Sequence, residues 1–187
     1  MPFLRQEKIL DAAATLFRER GFAAISIDEI GTAAGTTGPG VYKYFPSKGA
    51  LLAEILERAI YRMRVDFARV LLVEGTPIER LERIVTAYVD VTEPEARAVV
   101  LGSRDFIHLP EERKPALRAS YHGLREAFVD ALVAVRPDMP RQDAKVTVMA
   151  VFGGLLTSVA LLSRPISGER KRRIYVPMAM AALIGLP

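Results

Sequence analysis

Near the start of the chain, three helix stops are each followed closely by a residue able to cap the next helix. The pairs are Gly21 then Ser26, Gly35 then Thr37, and Pro46 then Ser47. Glycine tolerates the left-handed conformation that closes a helix. A Ser or Thr side chain accepts from the N–H groups that a helix start leaves without an intrahelical partner. This punctuation confines the segment to short helices joined by tight turns. Helices are predicted from Leu4 to Arg20, from Ile27 to Gly35, and from a Thr37 cap to about Phe45, with a long fourth from about Lys48 to about Val70. Ile9, Leu10, Ala13, Leu16 and Phe17 recur at three- and four-residue spacing, and Ile27, Ile30, Ala33 and Ala34 give the second helix its own apolar stripe. Asp28 and Glu29 stand in the first turn of that helix, where negative charge suits the helix dipole.

The rest of the chain also carries helical periodicity. Thr76-Pro77-Ile78-Glu79 combines an N-cap, a proline at the first helical position and a capping-box glutamate, opening a helix that runs to about Val91. Pro94 to Gly102 is a further candidate. Glu111 to Val135 carries Leu117, Tyr121, Leu124, Phe128, Leu132 and Val135 on one stripe, and Pro115 leaves its start open. Asp138 is the expected cap of a helix from Pro140 to about Leu162, and Ser167 of a last one from Gly168 to about Ile184. No alternating strand pattern of useful length occurs. The expectation is an all-α chain, with a three-helix part over residues 1–50 and a larger helical bundle over 51–187.

Composition narrows the function classes. Half of the 187 residues are hydrophobic, enough for a sizeable core. The absence of cysteine excludes a disulfide framework and any cysteine-based zinc site, and two histidines leave little material for another metal centre. No cofactor is expected. The N-terminus lacks the apolar core and cleavage signature of a signal peptide, so a cytoplasmic location is expected. Val146 to Leu162 is apolar nearly all round but falls short of the about 20 residues a membrane span needs. Burial on two faces suits it better, one against its own subunit and one against a second copy, with Gly153-Gly154 permitting close approach. The net charge of +4 and a pI near 9.5 are compatible with a polyanionic partner.

The stretch Ala34 to Leu51, AGTTGPGVYKYFPSKGAL, is the most informative. It contains neither the P-loop pattern nor a dinucleotide-binding fingerprint, and helix precedes it. If Thr37 caps a helix, then Gly38, Pro39 and Gly40 fill a first turn, where proline sacrifices no hydrogen bond. Two short helices joined by a glycine-containing turn form a helix-turn-helix, whose second helix enters the DNA major groove by its N-terminal end. Small residues there let the backbone approach bases and phosphates. Thr36 and Thr37 offer hydroxyls, Tyr42, Lys43 and Tyr44 can reach phosphates, and Lys48 opens the next helix where another phosphate would be met.

Read together, Ile9, Ala12, Leu16-Phe17, Gly21-Phe22, Ser26, Ile30, Ala34-Gly35-Thr36-Thr37, Val41-Tyr42, Tyr44-Phe45, Ser47-Lys48 and Leu51 make Arg5 to Leu51 resemble the DNA-binding domain of the TetR family of transcriptional regulators. Two positions depart from the family pattern. Gly31 replaces a usual alanine, which should soften the second helix, and Gly40 stands where a larger residue is common. The resemblance implies that Ser26, Thr37, Tyr42 and Lys48 contact the DNA backbone. Thr36, Gly38, Pro39, Gly40, Lys43 and Tyr44 would face bases or adjacent phosphates. Packing against the first helix competes with contact for Tyr42, and Phe45 reads as core. Residues 1–48 hold six basic side chains (Arg5, Lys8, Arg18, Arg20, Lys43, Lys48) against five acidic ones (Glu7, Asp11, Glu19, Asp28, Glu29). Affinity must therefore come from placement and from doubling the site by dimerisation rather than from bulk charge.

Beyond residue 52 the resemblance is one of architecture. It implies a helical domain that forms a homodimer, binds a small-molecule effector and releases a double-stranded DNA operator. Candidate effector contacts are Tyr88, Arg104, Phe106, His108, Tyr121, His122, Phe128, Met149 and Phe152, with simple core packing as the competing reading for the aromatics and Met149. A largely apolar lining points, by family analogy, to an apolar or amphipathic effector. Arg170-Lys171-Arg172-Arg173 reads as a solvated basic face that pairs with acidic neighbours. No nucleophile, base and acid set emerges, so enzymatic activity is not expected. A ligand-responsive repressor is.

Overall fold

The computed structural model describes residues 2–91, 106–161 and 166–185, apart from a few side chains within them. Among the described residues there are eight α-helices and no strand. They are α1 (Pro2–Arg20), α2 (Ile27–Ala33), α3 (Gly38–Tyr42), α4 (Lys48–Leu71), α5 (Pro77–Val91), α6 (Lys114–Val135), α7 (Arg141–Leu161) and α8 (Gly168–Ile184), with a 3-10 turn over Phe106–His108. The candidate helix over Pro94 to Gly102 and the effector candidate Arg104 lie outside the described residues. The chain divides into two compact units, one of Met1–Ala59 with Ala98–Leu117, the other of Ile60–Arg97 with Arg118–Pro187. The boundary expected at residue 50 falls inside the unbroken helix α4.

The expected helix ends have the expected chemistry. Gly21, at φ +83°, closes α1 and donates its N–H to the Phe17 carbonyl at 2.9 Å. The Glu29 N–H donates to Ser26 Oγ at 3.2 Å, and the Ser26 N–H donates to Glu29 Oε2 at 2.8 Å. This capping box holds the Glu29 carboxyl down at about 2, chiefly through the Ser26 N–H, then the Ser26 hydroxyl and Arg20. At the far end of α2, Gly35 (φ +69°) donates to the Thr32 carbonyl and Thr36 donates to the Gly31 carbonyl, the paired bonds of a Schellman closure. Thr76 and Glu79 form the second capping box, at α5.

Two ends differ from expectation. Asp138 does not cap α7. Its carboxylate takes a hydrogen bond from Arg136 at 3.2 Å, and the first turn of α7 instead closes on the Pro140 carbonyl. Helix α6 starts at Lys114 rather than Glu111, because residues 110–114 are held in a turn by Arg113 N–H to Pro110 O at 3.0 Å, and Pro115 then sits in the first helical turn without cost.

In the first unit, Ile9, Ala13 and Phe17 of α1, Ile25, Ile30 of α2, Val41 of α3 and Leu51 of α4 are buried around one centre. Phe45 is buried with them, as expected of core. In the second unit, α8 packs on α5 and α7. Its interior is built from Leu81, Ile84 and Val85 of α5, Val129 and Leu132 of α6, Val148 and Leu155 of α7 and Ala179 and Leu183 of α8.

Candidate nucleic-acid interface and effector core

Helices α2 and α3 meet at glycine. A Cβ on Gly31 would lie 2.6 Å from the Thr37 carbonyl carbon and 2.9 Å from the Gly38 nitrogen. Gly31 therefore does not loosen α2. It lets the backbone of the start of α3 rest directly on α2, which corrects the expected softening. The closely held pair presents a slim leading edge. Thr37 and Pro39 are exposed and Gly38 is buried against α2, while Thr37 Oγ1 accepts the Gly40 N–H at 3.2 Å and so caps α3. Gly40 has its own reason, since a Cβ there would meet Thr36 Oγ1 at 2.3 Å.

The other predicted DNA contacts divide into two groups. Tyr42 is 54% exposed, Lys43 is exposed and Tyr44 is half-buried just past α3. The exposure of Tyr42 disfavours its reading as a packing residue. Ser26 is exposed, but its hydroxyl is already engaged by Glu29 in both directions. Lys48 departs furthest from expectation. Its ammonium donates to the Phe22 and Ile25 carbonyls, each at 2.8 Å, and stands 4.4 Å from the centre of the Phe22 ring. These two bonds use two of the three N–H donors of its ammonium and leave one for a phosphate. In this structure Lys48 is a tie between the start of α4 and the α1–α2 turn, made because two carbonyls of that turn point at it.

The effector candidates also separate. Tyr88, Phe128 and Phe152 form one aromatic core in the second unit, joined by Phe67 of α4. Phe128 stacks on Phe152 at 4.1 Å between ring centres. Tyr88 meets Phe152 edge-on at 4.7 Å, and Phe67 meets Phe128 edge-on at 4.8 Å. The Tyr88 hydroxyl donates to the Phe152 carbonyl at 3.1 Å, and burial pushes its pKa well above the usual tyrosine value. Phe67 was missed by sequence reasoning, although it lies on the α4 stripe with Ile60 and Met63. Tyr121 is close to Tyr88. Burial, then Tyr88, raises its pKa, and among the described residues its buried hydroxyl has no hydrogen-bond partner.

The remaining effector candidates are elsewhere. His122 is exposed, with Nε2 3.8 Å from Glu126, and Met149 is 53% exposed. Their helix positions turn them outward, away from the aromatic core. Phe106 and His108 belong to the first unit. The His108 ring stacks on Phe22 at 5.1 Å, and its carbonyl lies where a Cβ of residue 49 would be, which explains Gly49. His108 lines an open cleft of about 500 Å³ with Tyr44, Ser47 and Pro110.

The second unit also bears an exposed apolar face. Val146, Met149, Ala150, Gly153, Gly154 and Thr157 are exposed along α7, and Ile174, Pro177, Met178 and Ala181 along neighbouring α8. The opposite face of α7, with Ala144, Val148, Phe152 and Leu155, is buried. The basic run opening α8 is divided: Arg172 donates to Asp90 at 2.6 Å, Lys171 is buried, and Arg170 and Arg173 are exposed. Among the described residues no helix is long and apolar enough to cross a membrane, and no cluster of metal-ligating side chains occurs.

Comparison with known proteins agrees with this geometry. Residues 9–55 match the profile described as bacterial regulatory proteins, tetR family, and residues 74–160 match the tetracyclin repressor-like C-terminal domain. The HTH-type transcriptional regulator BetI of Rhizobium meliloti is 28% identical over 168 residues, 89% of this chain and 83% of that protein. A TetR-family transcriptional regulator from Bordetella parapertussis superposes with a TM-score of 0.83 at 25% identity, covering 97% of each chain. AibR, solved in complex with isovaleryl coenzyme A and operator DNA, superposes with a TM-score of 0.77 at 20% identity, covering 93% of this chain and 97% of its own.

Proposed function

Because this chain belongs to the TetR family of transcriptional regulators, we propose that it is a ligand-responsive repressor. It reads a near-palindromic operator as a homodimer and is released by a small apolar or amphipathic effector. The observation that carries the reading is the α2–α3 pair. The start of α3 lies close on α2 and the turn because Gly31, Gly38 and Gly40 carry no side chains between them, and Thr37 and Pro39 are exposed at its leading end, with Tyr42 and Lys43 exposed behind. Such a helix fits a major groove about 12 Å wide by its N-terminal end, while Tyr42 and Lys43 meet phosphates. Lys43 is cationic and Tyr42 is a hydroxyl donor, so both serve position more than sequence.

Dimerisation is supported by the apolar faces of α7 and α8. Contiguous apolar surface of this kind is covered in most soluble proteins. The two pairs of helices would close a four-helix interface about a two-fold axis, with Gly153 and Gly154 allowing close approach. A dimer then presents two recognition helices roughly one DNA turn, ~34 Å, apart or somewhat more.

The effector reading rests on the aromatic core around Tyr88, Phe128 and Phe152 and on Tyr121. A buried hydroxyl without a partner costs about 1–3 kcal/mol, and a ligand oxygen beside it removes that cost. An apolar ligand with one polar group suits this site. In AibR, the acyl thioester isovaleryl coenzyme A accompanies the operator complex. The effector acts here by binding the DNA-free arrangement of the dimer more tightly than the bound one. Action in the cytoplasm, where operator DNA is found, follows from this role.

Footprinting on DNA flanking the protein's own gene is the test. A protected near-palindrome, lost on adding what co-purifies with the protein as identified by mass spectrometry, is the expected result. Equal affinity for this DNA and random DNA, with no protected palindrome, refutes the proposal.

A further inference from the structure

We propose that Asp28 reads a base: its carboxylate, held against the first residue of α3, selects a cytosine at one position of each half-site. The inference rests on the DNA-reading function proposed above. Asp28 lies in the first turn of α2 and is exposed. Its neighbour Glu29 is fully engaged by Ser26 and Arg20. The Asp28 carboxylate, by contrast, has no hydrogen-bond or ion-pair partner among the described residues; only its backbone carbonyl is used, accepting from the Thr32 hydroxyl at 3.0 Å.

Its position is set by α3. A Cβ on Gly38 would lie 2.0 Å from Asp28 Oδ1, so the carboxylate occupies the space a side chain at position 38 would fill. Because Gly31 fixes α2 against Thr37 and Gly38, this oxygen moves with the leading edge of the recognition helix rather than independently of it. That edge is short of side-chain reading atoms. Gly38 and Gly40 have none, Pro39 has no N–H, and Thr37, whose Oγ1 accepts from Gly40, keeps only its hydroxyl donor and one lone pair. Asp28, although on α2, puts a charged acceptor beside the first residue of α3, the end by which a recognition helix reads bases.

An ionised carboxylate accepts and cannot donate. It is repelled by phosphates and pairs with an exocyclic amine. In the major groove the typical partner of Asp is cytosine N4, whereas Asn pairs with adenine N6 and N7. The charge therefore acts twice. It favours one base at its position, and it weakens binding to DNA that offers no amine there. A weakly basic DNA-binding unit that holds a negative charge at its tip gives up non-specific affinity and gains discrimination.

The experiment is selection from a random duplex library by the full-length wild type, Asp28→Asn and Asp28→Ala, followed by competition of each selected duplex against random duplex at one salt concentration. The wild type is expected to enrich a palindrome with cytosine at a symmetric pair of positions. Asp28→Asn turns those positions to adenine, and Asp28→Ala leaves them without preference while other positions keep theirs. Asp28→Ala also binds random duplex about fivefold more tightly at about 0.15 M salt, the effect of roughly one counterion, and its selectivity falls by about tenfold or more. Asp28→Asn is nearly isosteric, so it reports on reading and not on folding. A wild-type consensus that persists unchanged in both variants overturns the proposal and leaves Asp28 as filler beside Gly38. Failure of the wild type to enrich any consensus overturns the DNA-reading function itself, and this inference with it.

Discussion

Gly31→Ala sets two physical effects of opposite sign against each other. In the interior of an exposed helix, alanine is favoured over glycine by about 1 kcal/mol. On propensity alone the substitution strengthens α2. The structure predicts the reverse. The new methyl would stand 2.6 Å from the Thr37 carbonyl carbon, 2.9 Å from the Thr37 oxygen and 2.9 Å from the Gly38 nitrogen, where 3.4 Å is an ordinary contact. All three are backbone atoms, so no rotamer change relieves them. The start of α3 must retreat by about 0.8 Å. Overpacking of this kind costs about 1–3 kcal/mol. With a rigid neighbour the upper part of that range applies, and the net change is a loss of about 1–2 kcal/mol after the gain in propensity. Urea denaturation followed by circular dichroism measures it as a lower midpoint with an unchanged slope. Binding to a selected operator duplex should fall as well, because the displaced segment is the leading edge of the recognition helix. A variant as stable as wild type, or more stable, would refute the reasoning and show that the α2–α3 contact is loose.

Lys48→Ala removes the donor to two carbonyls and should lower stability by about 1–3 kcal/mol; an unchanged thermal midpoint with weaker DNA binding would restore the lysine to the phosphates. Tyr42→Ala should weaken binding to operator and random duplex alike while the midpoint holds, since the ring is largely exposed. Glu29 stays ionised down to about 2 in the folded chain against an ordinary 4.5. Its contribution is therefore complete above about pH 4.5 and is lost as pH falls towards 2, and Glu29→Gln should flatten that part of the stability profile measured by thermal melts. Phe152→Ala should cost about 3–5 kcal/mol by opening a cavity among Tyr88 and Phe128.

Much of the fold was legible because helix ends have local chemistry. Ser26 with Glu29, Thr37 with Gly40 and Thr76 with Glu79 each act within one turn of chain, so sequence spacing alone locates them. Asp138 shows where this fails. A local ion pair with Arg136 competes for the same carboxylate, and spacing does not reveal which wins. The site residues were less legible because their roles depend on elements distant in sequence. Lys48 faces carbonyls more than twenty residues away, a geometry set by how α4 starts beside the α1–α2 turn. Gly31 looks like a weakness within its own helix and becomes a contact surface only once α3 lies on it. The effector candidates, chosen as aromatic or polar residues on apolar helices, divided by helix face. Tyr88, Phe128 and Phe152 point inward together, while Met149 shares a helix with Phe152 yet faces out. Phe67 carried only its periodicity as a signal, and periodicity does not distinguish a ring in an aromatic core from any other core residue.

The central claim is that two copies of this chain read one palindromic duplex. Sedimentation velocity of the full-length protein with a labelled palindrome, selected from a random duplex library, tests it directly against a scrambled duplex of equal length at equal salt. The expected result is a dimer in the absence of DNA, one dimer on each palindrome, and affinity for it about 10³-fold or more above that for the scrambled duplex. A monomer that binds both duplexes equally would contradict it.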